Sequence, residues 1–461
     1  MVKAKFSRRG VETPSHHSSH HGSSVRIRPS WILFAVMTLL VVFYVRLFVR
    51  LDEHTRELLN PMLLSIMAPP TTTTTTSNTI GYFVSITKCP DPSITQAPLA
   101  DGAAVLQHSI HLVHGNSKYE YKMHAIYHPT AAACVPPLAQ LGYQLVERPT
   151  PVQIDEIQGE FLRSRIQGNG CCGEKELIKL EALTFTEFPI VVHVDLDVLI
   201  LKPLDDLFDA MLQQTSSPPD NNDDDPVAKI QRMWPDDPVP EKINAFFTRD
   251  YGVVNWNIPY KPAQGGFLIL RPDKSVYEEY LAIVREGNFQ QFKGWGGLVG
   301  PFYGAMTVQG LIPYYFDVLH PGETVVLNNC VYNNMSNNPT DQPTIKEVLQ
   351  GKCRSGKTMD QCEDCRRRPL EDIVSAHFTL CQKPWFCLPF AQDKVDHRQC
   401  RKLVHEWFRI RSDLEKKWGR SGMGSAGTTT WVHRDQFYGY CSQTGKEAYI
   451  PIEQPYGKPT Q

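Results

Sequence analysis

The segment VVHVDLDVLILKPLDDLF, residues 191–208, decides the fold predicted for this chain. It opens with apolar, β-forming residues and then places two aspartates, Asp195 and Asp197, one residue apart. Because successive side chains of a strand alternate between its faces, the two carboxylates are expected to point the same way. Neighbouring carboxylates repel each other, so a divalent cation such as Mg²⁺ or Mn²⁺ is their expected partner. The segment therefore predicts a nucleotide-diphosphate site at the end of a buried strand. The alternative is a strand followed by an acidic, solvated turn.

Predicted strands and helices alternate around this segment. Apolar runs typical of strands occur at 81–88, 121–128 and 265–272, and helical periodicity occurs at 102–115 and 174–188. Such alternation is typical of an α/β domain in which helices cover both faces of a mostly parallel sheet. Ligands of such sheets bind at the carboxyl ends of the strands, which is where the two aspartates fall.

The N-terminal part is predicted to lie outside this domain. Residues 1–30 form a basic tail, and residues 31–49 (WILFAVMTLLVVFYVRLFV) are apolar except for Arg46. At 1.5 Å per residue, a helix of this length spans about 30 Å of hydrocarbon. The pattern predicts a retained, single-pass transmembrane helix with the basic tail in the cytosol and the rest of the chain in the Golgi lumen, a type II topology. A cleaved signal peptide is the alternative.

The composition of the remaining chain suggests three further boundaries. Residues 50–79 are rich in Pro and Thr in their second half and are expected to form an extended stem. The folded domain is expected at 80–410, with a polar, flexible insert at 214–226. Residues 411–461 are expected to be a C-terminal extension without an assigned role.

Charge and cysteine content limit the partners and the compartment. The 461-residue chain has a formal net charge of −2, so no basic field points to nucleic acid as a partner. All 12 cysteines follow residue 88, which favours disulfides in an oxidising compartment. Cys362 and Cys365 have the spacing of a zinc knuckle as an alternative. Cys171 and Cys172 are expected to pair with distant cysteines or to line a substrate cleft, and Asn334 begins an N-glycosylation sequence, Asn-Met-Ser.

Six motifs along residues 80–390, taken together and in this order, resemble glycosyltransferase family 8, the glycogenin-like group with the GT-A fold. They are FVSIT (83–87), KLEAL (179–183), the segment 191–208, QGGFLILRP (264–272), VQGLIPYYF (308–316) and HFTLCQKPW (377–385). The resemblance implies a Rossmann-like nucleotide-diphospho-sugar transferase domain that moves a sugar from a UDP-sugar to a hydroxyl of a glycan or glycoprotein acceptor.

The resemblance also implies a metal site. Asp195, Asp197 and His377 would hold Mn²⁺, or Mg²⁺ in its place, on the diphosphate of the donor. A mixed oxygen and nitrogen ligand set suits Mn²⁺. Lys383, six residues after His377, would meet the phosphates as a point charge. Asp197 and Lys383 are thus expected to take part in catalysis as well as in binding.

The donor itself is expected to contact three further parts of the chain. The resemblance assigns uridine to the end of the first strand, and the sugar to a lysine and to the start of the middle strand. Gln309 would lie near the reacting carbon and is the remaining expected catalytic residue. The expected donor-binding residues are Ser85, Ile86, Thr87, Lys179, Gln264 and Gly265.

Three positions depart from the family pattern. Gln264 stands where the family has Asn, Val308 replaces an Asp beside Gln309, and Leu380 replaces a Gly after the histidine. The family retains the anomeric configuration, and without an evident carboxylate nucleophile we expect same-face attack. Two alternatives are a non-catalytic lumenal binding or scaffold protein on this fold and a metal-dependent nucleotidyltransferase or hydrolase. The last would need a further acidic ligand or a glycine-rich phosphate loop, and the sequence lacks that loop.

Overall fold

The structure is a computed structural model that describes residues 78–93, 98–213, 225–233, 239–253, 259–340, 351–355, 357–390, 394–424 and 434–457. The predicted tail (1–30), anchor (31–49) and stem up to residue 77 lie outside the described residues, as does most of the insert 214–226, whose last residue begins a helix. None of the helices in the described ranges is long and apolar enough to span a membrane.

A seven-stranded sheet forms the centre of the fold, with the strand order β10-β6-β7-β4-β1-β2-β3. Most neighbouring pairs are parallel, and only β7 runs antiparallel to both of its neighbours. The expectation of a mixed α/β domain with a mostly parallel sheet is confirmed. The strands of this sheet are β1 (Thr79–Ile86), β2 (Glu120–Tyr127), β3 (Gln144–Glu147), β4 (Val191–Val194), β6 (Ala245–Arg249), β7 (Ala263–Leu270) and β10 (Thr324–Leu327).

Helices cover both faces of the sheet because its central strands are apolar on both sides. Val192 and Val194 of β4 pack into one hydrophobic cluster, and Val191 packs into another on the opposite face. Helix α1 contributes to the first cluster, and a 3₁₀ helix, Gly173–Thr184, contributes to the second. The α-helices are α1 (Leu99–His114), α2 (Pro136–Gln140), α3 (Glu160–Arg165), α4 (Asp205–Leu212), α5 (Pro226–Met233), α6 (Lys274–Glu286), α7 (Val308–Pro313), α8 (Val395–Lys417) and α9 (Arg434–Phe437).

Two small sheets complete the described part of the fold. Strand β5 (Val198–Ile200) pairs antiparallel with β11 (Ser375–His377), and β8 (Phe289–Gln290) pairs with β9 (Gly294–Trp295). The β5–β11 pair is the important one for function. It brings the C-terminal motif HFTLCQKPW beside the Asp-x-Asp turn, although about 180 residues separate them in the sequence.

The C-terminal segment belongs to the domain instead of extending from it. Helix α8 passes without interruption through the expected boundary at residue 410. Beyond it, Tyr449, Ile452 and Tyr456 all bond to the buried carboxylate of Asp101 in α1. The structure therefore moves the end of the domain past residue 410.

The cysteines pair as six disulfides, and none of those described is free. The zinc-knuckle alternative is wrong, because Cys362 pairs with Cys353 and Cys365 pairs with Cys330. Cys171 and Cys172 pair with each other and not with distant cysteines. The remaining bridges are Cys89–Cys134, Cys381–Cys400 and Cys387–Cys441.

The expected N-glycan site is not on the surface. Asn334 is 0% exposed, and its side-chain amide donates to the carbonyl oxygen of Cys330 over 2.7 Å. A sugar attached to this nitrogen would have to replace that bond and enter the core, so the prediction of an N-glycan at Asn334 is wrong.

Candidate functional site

A tight turn at the carboxyl end of β4 presents the two aspartates. The Asp195 amide donates to the Gly266 carbonyl over 3.0 Å, and the Val198 amide donates back to the Asp195 carbonyl over 3.1 Å. Both aspartates lie between β4 and β5, outside either strand. The turn, and not the alternation of side chains along a strand, is what brings the two carboxylates together.

Strand β11 adds a histidine to this pair. His377 lies opposite Val198 in the β5–β11 ladder, and the Phe378 amide donates to the Asp197 carbonyl over 2.9 Å. Ligand atoms of Asp195, Asp197 and His377 all lie within 4.8 Å of one another. His377 Nε2 is 3.5 Å from Asp197 Oδ2. The predicted convergence of these three side chains is therefore observed.

Glycine at position 266 leaves room for the cluster. A Cβ atom at this position would overlap the imidazole of His377 and lie 2.7 Å from Asp195 Oδ2. Because β7 runs antiparallel to β4, its first residues lie at the carboxyl end of β4. This geometry explains why the start of β7, and not its end, contributes to the site.

Two lysines neutralise the two carboxylates. Lys179 Nζ lies 2.8 Å from Asp195 Oδ1 and 3.0 Å from the Gly265 carbonyl oxygen, and Lys383 Nζ contacts Asp197 Oδ2. Burial alone would lower the pKa of the Lys179 ammonium, but Asp195 and Glu176 together outweigh it and raise that pKa. Burial would likewise raise the pKa of Asp197, but Lys383 and His377 hold it well below its usual range. Both aspartates are thus ionised, and Lys179 is charged.

The end of β1 lies beside the cluster, as predicted. Phe83 pairs with His193, so Ser85, two residues further along β1, falls level with Asp195 just beyond the end of β4. Ser85 Oγ and His193 Nε2 are 2.8 Å apart, and burial, with a smaller effect from Lys179, lowers the pKa of His193 to about 3. The side chain of Ile86 is 2% exposed, so it belongs to the core, whereas Ser85 and Thr87 are partly exposed and available to a ligand.

The residues expected at the sugar lie on both sides of β7. Gln264 shares the face of Gly266, and its Oε1 accepts from the Gly266 amide over 2.6 Å. Gly265 faces the other way, where a Cβ atom would lie 3.5 Å from Gln309 Cγ. Gln309 is 9% exposed, in the first turn of α7. Lys179 connects the two sides, because its ammonium contacts both Asp195 and the Gly265 carbonyl.

Two buried carboxylates at the site were not predicted. Glu176 is 5% exposed, accepts from Thr307 Oγ1 over 2.6 Å and lies 3.5 Å from Lys179 Nζ. Its position three residues before Lys179 in a helical segment was a usable signal. Asp250 is 8% exposed, and its burial raises its pKa, although the Gly252 amide that donates to its Oδ1 and, to a smaller extent, His377 act against this shift. No sequence signal marks Asp250. It follows β6, and only the tertiary structure reveals which strands lie beside β6 in the sheet.

The cluster fits a hard divalent ion. Two carboxylates and an imidazole supply the oxygen and nitrogen ligands that suit Mn²⁺ or Mg²⁺. His377 Nδ1 is buried and has no hydrogen-bond partner within the described part of the chain. Among the described residues, this is the one group of at least three His, Cys, Asp or Glu side chains close enough to share an ion.

No protein-family model matches the sequence, and no curated protein is similar enough to count as a relative. Among solved structures, the galactosyltransferase LgtC in complex with donor and acceptor sugar analogues is similar at 10% identity and a TM-score of 0.37, covering 71% of this chain and 94% of its own. Mouse xyloside xylosyltransferase 1 is similar at 12% identity and a TM-score of 0.36, covering 65% and 97%. The glycosyltransferase GlyE of Streptococcus pneumoniae is similar at 11% identity and a TM-score of 0.36, covering 73% of this chain and 64% of its own. Values this low do not establish a common family.

Proposed function

We propose that this protein is a metal-dependent glycosyltransferase that moves a sugar from a UDP-sugar to an acceptor hydroxyl. The observation that carries the proposal is the convergence of Asp195, Asp197 and His377 beside Lys179 and Lys383. The cluster lies at the carboxyl ends of β4 and β1, where α/β sheets bind their ligands. Carboxylates, an imidazole and ammonium groups in one place match a diphosphate bound through a divalent ion.

The charges at the site suit the diphosphate end of such a donor. Asp195, Asp197 and His377 would hold Mn²⁺ or Mg²⁺, which when bound stabilises negative charge on the departing diphosphate. Lys383 is one-third exposed and can turn from Asp197 to a phosphate oxygen. Lys179 is almost fully buried and held by the Gly265 carbonyl, so we assign it a fixed position.

The buried polar groups around β7 suit the sugar end. The Gly265 backbone, Gln309 and Glu176 lie together near Lys179, and Gln264 lies on the opposite face of β7 beside Gly266. Position 308 carries a buried valine, and Glu176 provides a carboxylate close to it from the 3₁₀ helix. We assign Glu176 to accept a hydrogen bond from a donor-sugar hydroxyl. Gln309 is assigned to the neighbourhood of the reacting carbon.

The transfer would proceed by same-face attack with retention of configuration. The bond between the sugar C1 and the diphosphate oxygen breaks, and the acceptor oxygen forms a new bond to C1. The acceptor proton passes to the departing phosphate oxygen. The alternative route, through a covalent sugar–enzyme intermediate, would need a good nucleophile, and the side chain of Gln309 is a poor one. Lys383 would favour this course by stabilising the charge that develops on the leaving group.

The disulfides support a lumenal location. Six bridges join cysteines of the described chain, as is usual for proteins of oxidising compartments such as the secretory pathway. Together with the apolar segment 31–49, they support our proposal of a type II protein of the Golgi membrane with a glycan or glycoprotein acceptor.

A donor screen tests the function. Full-chain protein is incubated with UDP-glucose, UDP-galactose, UDP-xylose and UDP-glucuronic acid, with Mn²⁺ or with a chelator, and UDP release is measured. We expect metal-dependent release from one donor and a retained anomer in the product by NMR. Metal-dependent UDP binding without release from any donor would favour the non-catalytic binding protein. Release of a sugar 1-phosphate would favour the nucleotidyltransferase or hydrolase instead.

A further inference from the structure

A buried histidine that has no part in the proposed mechanism lies directly beside the end of β1. His193 is the third residue of β4 and is 0% exposed, and its Nε2 lies 2.8 Å from Ser85 Oγ. Its neighbours in the sheet are Phe83 of β1 and Leu268 of β7. Among the residues that the structure describes, His193 is the one hydrogen-bond partner of the Ser85 side chain. The direction of this bond therefore decides what the Ser85 hydroxyl offers to a ligand.

The proton in this bond can belong to either partner. If a neutral His193 carries its proton on Nδ1, then Nε2 is an acceptor and Ser85 donates to it, which leaves only oxygen lone pairs for a ligand. If Nε2 carries the proton, the ring donates to Ser85 Oγ, and the hydroxyl proton of Ser85 is left for a ligand. The two arrangements thus recognise opposite groups, a donor in the first case and an acceptor oxygen in the second.

The surroundings of the second ring nitrogen favour a proton on Nε2. His193 Nδ1 is buried and has no hydrogen-bond partner within the described ranges. A proton on Nδ1 would therefore bury an N–H group without an acceptor, which is rare in folded proteins and costly. With the proton on Nε2, the ring donor has Ser85 Oγ as its acceptor. The direction is the same for a ring that carries both protons, because Nε2 then donates as well.

The Ser85 hydroxyl is placed where a nucleotide can meet it. Ser85 is partly exposed and falls level with Asp195, one of the three candidate metal ligands. One nucleotide could therefore contact the metal ligands through its diphosphate and the end of β1 through its nucleoside. Because β4 is bonded to β1 on one side and to β7 on the other, the backbone that carries the imidazole is fixed.

We propose that His193 is a positioning residue whose ring donates to Ser85, so that the Ser85 hydroxyl donates to a carbonyl oxygen of uracil. The direction of the bond rests on the geometry of His193 alone, whereas the choice of uracil rests on the proposed function. Carbonyl oxygens of a base only accept hydrogen bonds, but a ribose hydroxyl can adapt to either direction. An oriented donor therefore discriminates most strongly when it faces a carbonyl oxygen.

Binding of UDP, 2-thio-UDP and 4-thio-UDP to the full chain in the presence of Mn²⁺ tests the direction of donation. Sulfur is a weaker acceptor than oxygen, so we expect one of the two analogues to bind about tenfold more weakly than UDP. Ser85→Ala should remove this difference by weakening the binding of UDP to the level of that analogue. Ser164→Ala removes an exposed hydroxyl from α3 and should leave the preference unchanged.

His193→Leu tests the positioning role. The binding of UDP should weaken several-fold, while inorganic diphosphate with Mn²⁺, which has no base, should bind as it does to the unchanged protein. His193→Gln supplies an amide N–H that can donate to Ser85, so it should recover most of the affinity for UDP. His124→Leu is the matched control, since it removes another buried imidazole, which stacks on Phe83.

Three outcomes would overturn the inference. Both thio analogues could bind as tightly as UDP, or Ser85→Ala could keep the preference of the unchanged protein. In the third, folded His193→Leu loses affinity for UDP and for inorganic diphosphate equally, which would assign the imidazole a structural role. Absence of metal-dependent UDP binding from the unchanged protein would instead contradict the proposed function together with the choice of uracil.

Discussion

Asp101 and Asp197 are both buried, at 0% and 6% exposure, but different kinds of partner surround their carboxylates. Three uncharged donors bind Asp101: the hydroxyls of Tyr449 and Tyr456 and the backbone amide of Ile452, at 2.8–2.9 Å. Asp197 instead faces a lysine that is one-third exposed and a histidine that lacks a partner on one nitrogen.

The pKa values of the two aspartates reflect this difference. Burial raises the pKa of Asp101, and the nearby Arg411 and the three donors only partly offset it. At Asp197 burial acts in the same direction, but Lys383 and His377 reverse the net shift. A carboxylate bound by fixed donors has no capacity left for a ligand, so Asp101 joins α1 to the C-terminal segment. A carboxylate whose charge is balanced by a movable ammonium can exchange that partner for a metal ion, so Asp197 suits a binding site.

Asp197→Asn should have the largest effect, and it should fall on activity. We expect metal-stimulated sugar transfer to fall at least about 10³-fold, or about 4 kcal/mol, because the ion loses a charged ligand. The thermal midpoint should change little, since the amide still faces Lys383. Asp206→Asn removes an exposed aspartate of the same segment and serves as the control. Full metal-stimulated turnover in Asp197→Asn would show that the site is misassigned.

Asp101→Asn should instead lower stability and leave ligand binding unchanged. An asparagine offers one acceptor oxygen to three donors and leaves the buried Arg411 with less compensating charge, so we expect the free energy of unfolding to fall by about 3 kcal/mol. Urea unfolding measures the loss. The folded fraction should bind UDP and metal as the unchanged protein does. Weakened UDP binding by protein shown to be folded would remove the contrast between the two aspartates.

Acidification should destabilise the contact between α1 and α8 through His108. This buried side chain, 2.8 Å from Asp413, has a pKa lowered to about 4 by burial, against an ordinary value of 6.5. The unfolded chain therefore binds more protons than the folded chain between these values, and stability falls as the pH falls through this window. We expect a loss of about 2 kcal/mol between about pH 7.5 and about pH 5. In His108→Gln this part of the loss should disappear, while His193, lowered in the same sense, still contributes.

Glu176→Gln tests the sugar side of the site and should have the smallest effect. The amide keeps a carbonyl oxygen for Thr307 but removes a negative charge beside Lys179, so we expect kcat to fall about tenfold with little change in metal affinity. Glu174→Gln, in the same 3₁₀ helix, is the control. A change confined to thermal stability, with kcat and the donor KM both unaltered, would assign Glu176 a structural role only.

Local pattern was enough to predict much of the fold and the aspartate pair of the site. Apolar strands and their alternation with helices predicted the sheet, and the resemblance carried by the Asp-x-Asp and HFTLCQKPW motifs implied that His377 meets Asp195 and Asp197. The prediction erred where it relied on local geometry alone, since a turn and not a strand orients the aspartates. It also assigned residues 411–461 to a C-terminal extension, because their polar composition does not reveal which distant part of the chain they pack against.

The sequence by itself determined the types of side chain present and the periodicity of the elements that carry them. The tertiary structure alone decided which distant residues meet: the pairing of each cysteine, the partners of Asp101, and the approach of Glu176 and Asp250 to the site. The physical reason is the separation along the chain between the residues that determine each property. Periodicity follows from local backbone geometry, whereas contacts across hundreds of residues depend on how whole elements pack and on the entropy of closing the loops between them.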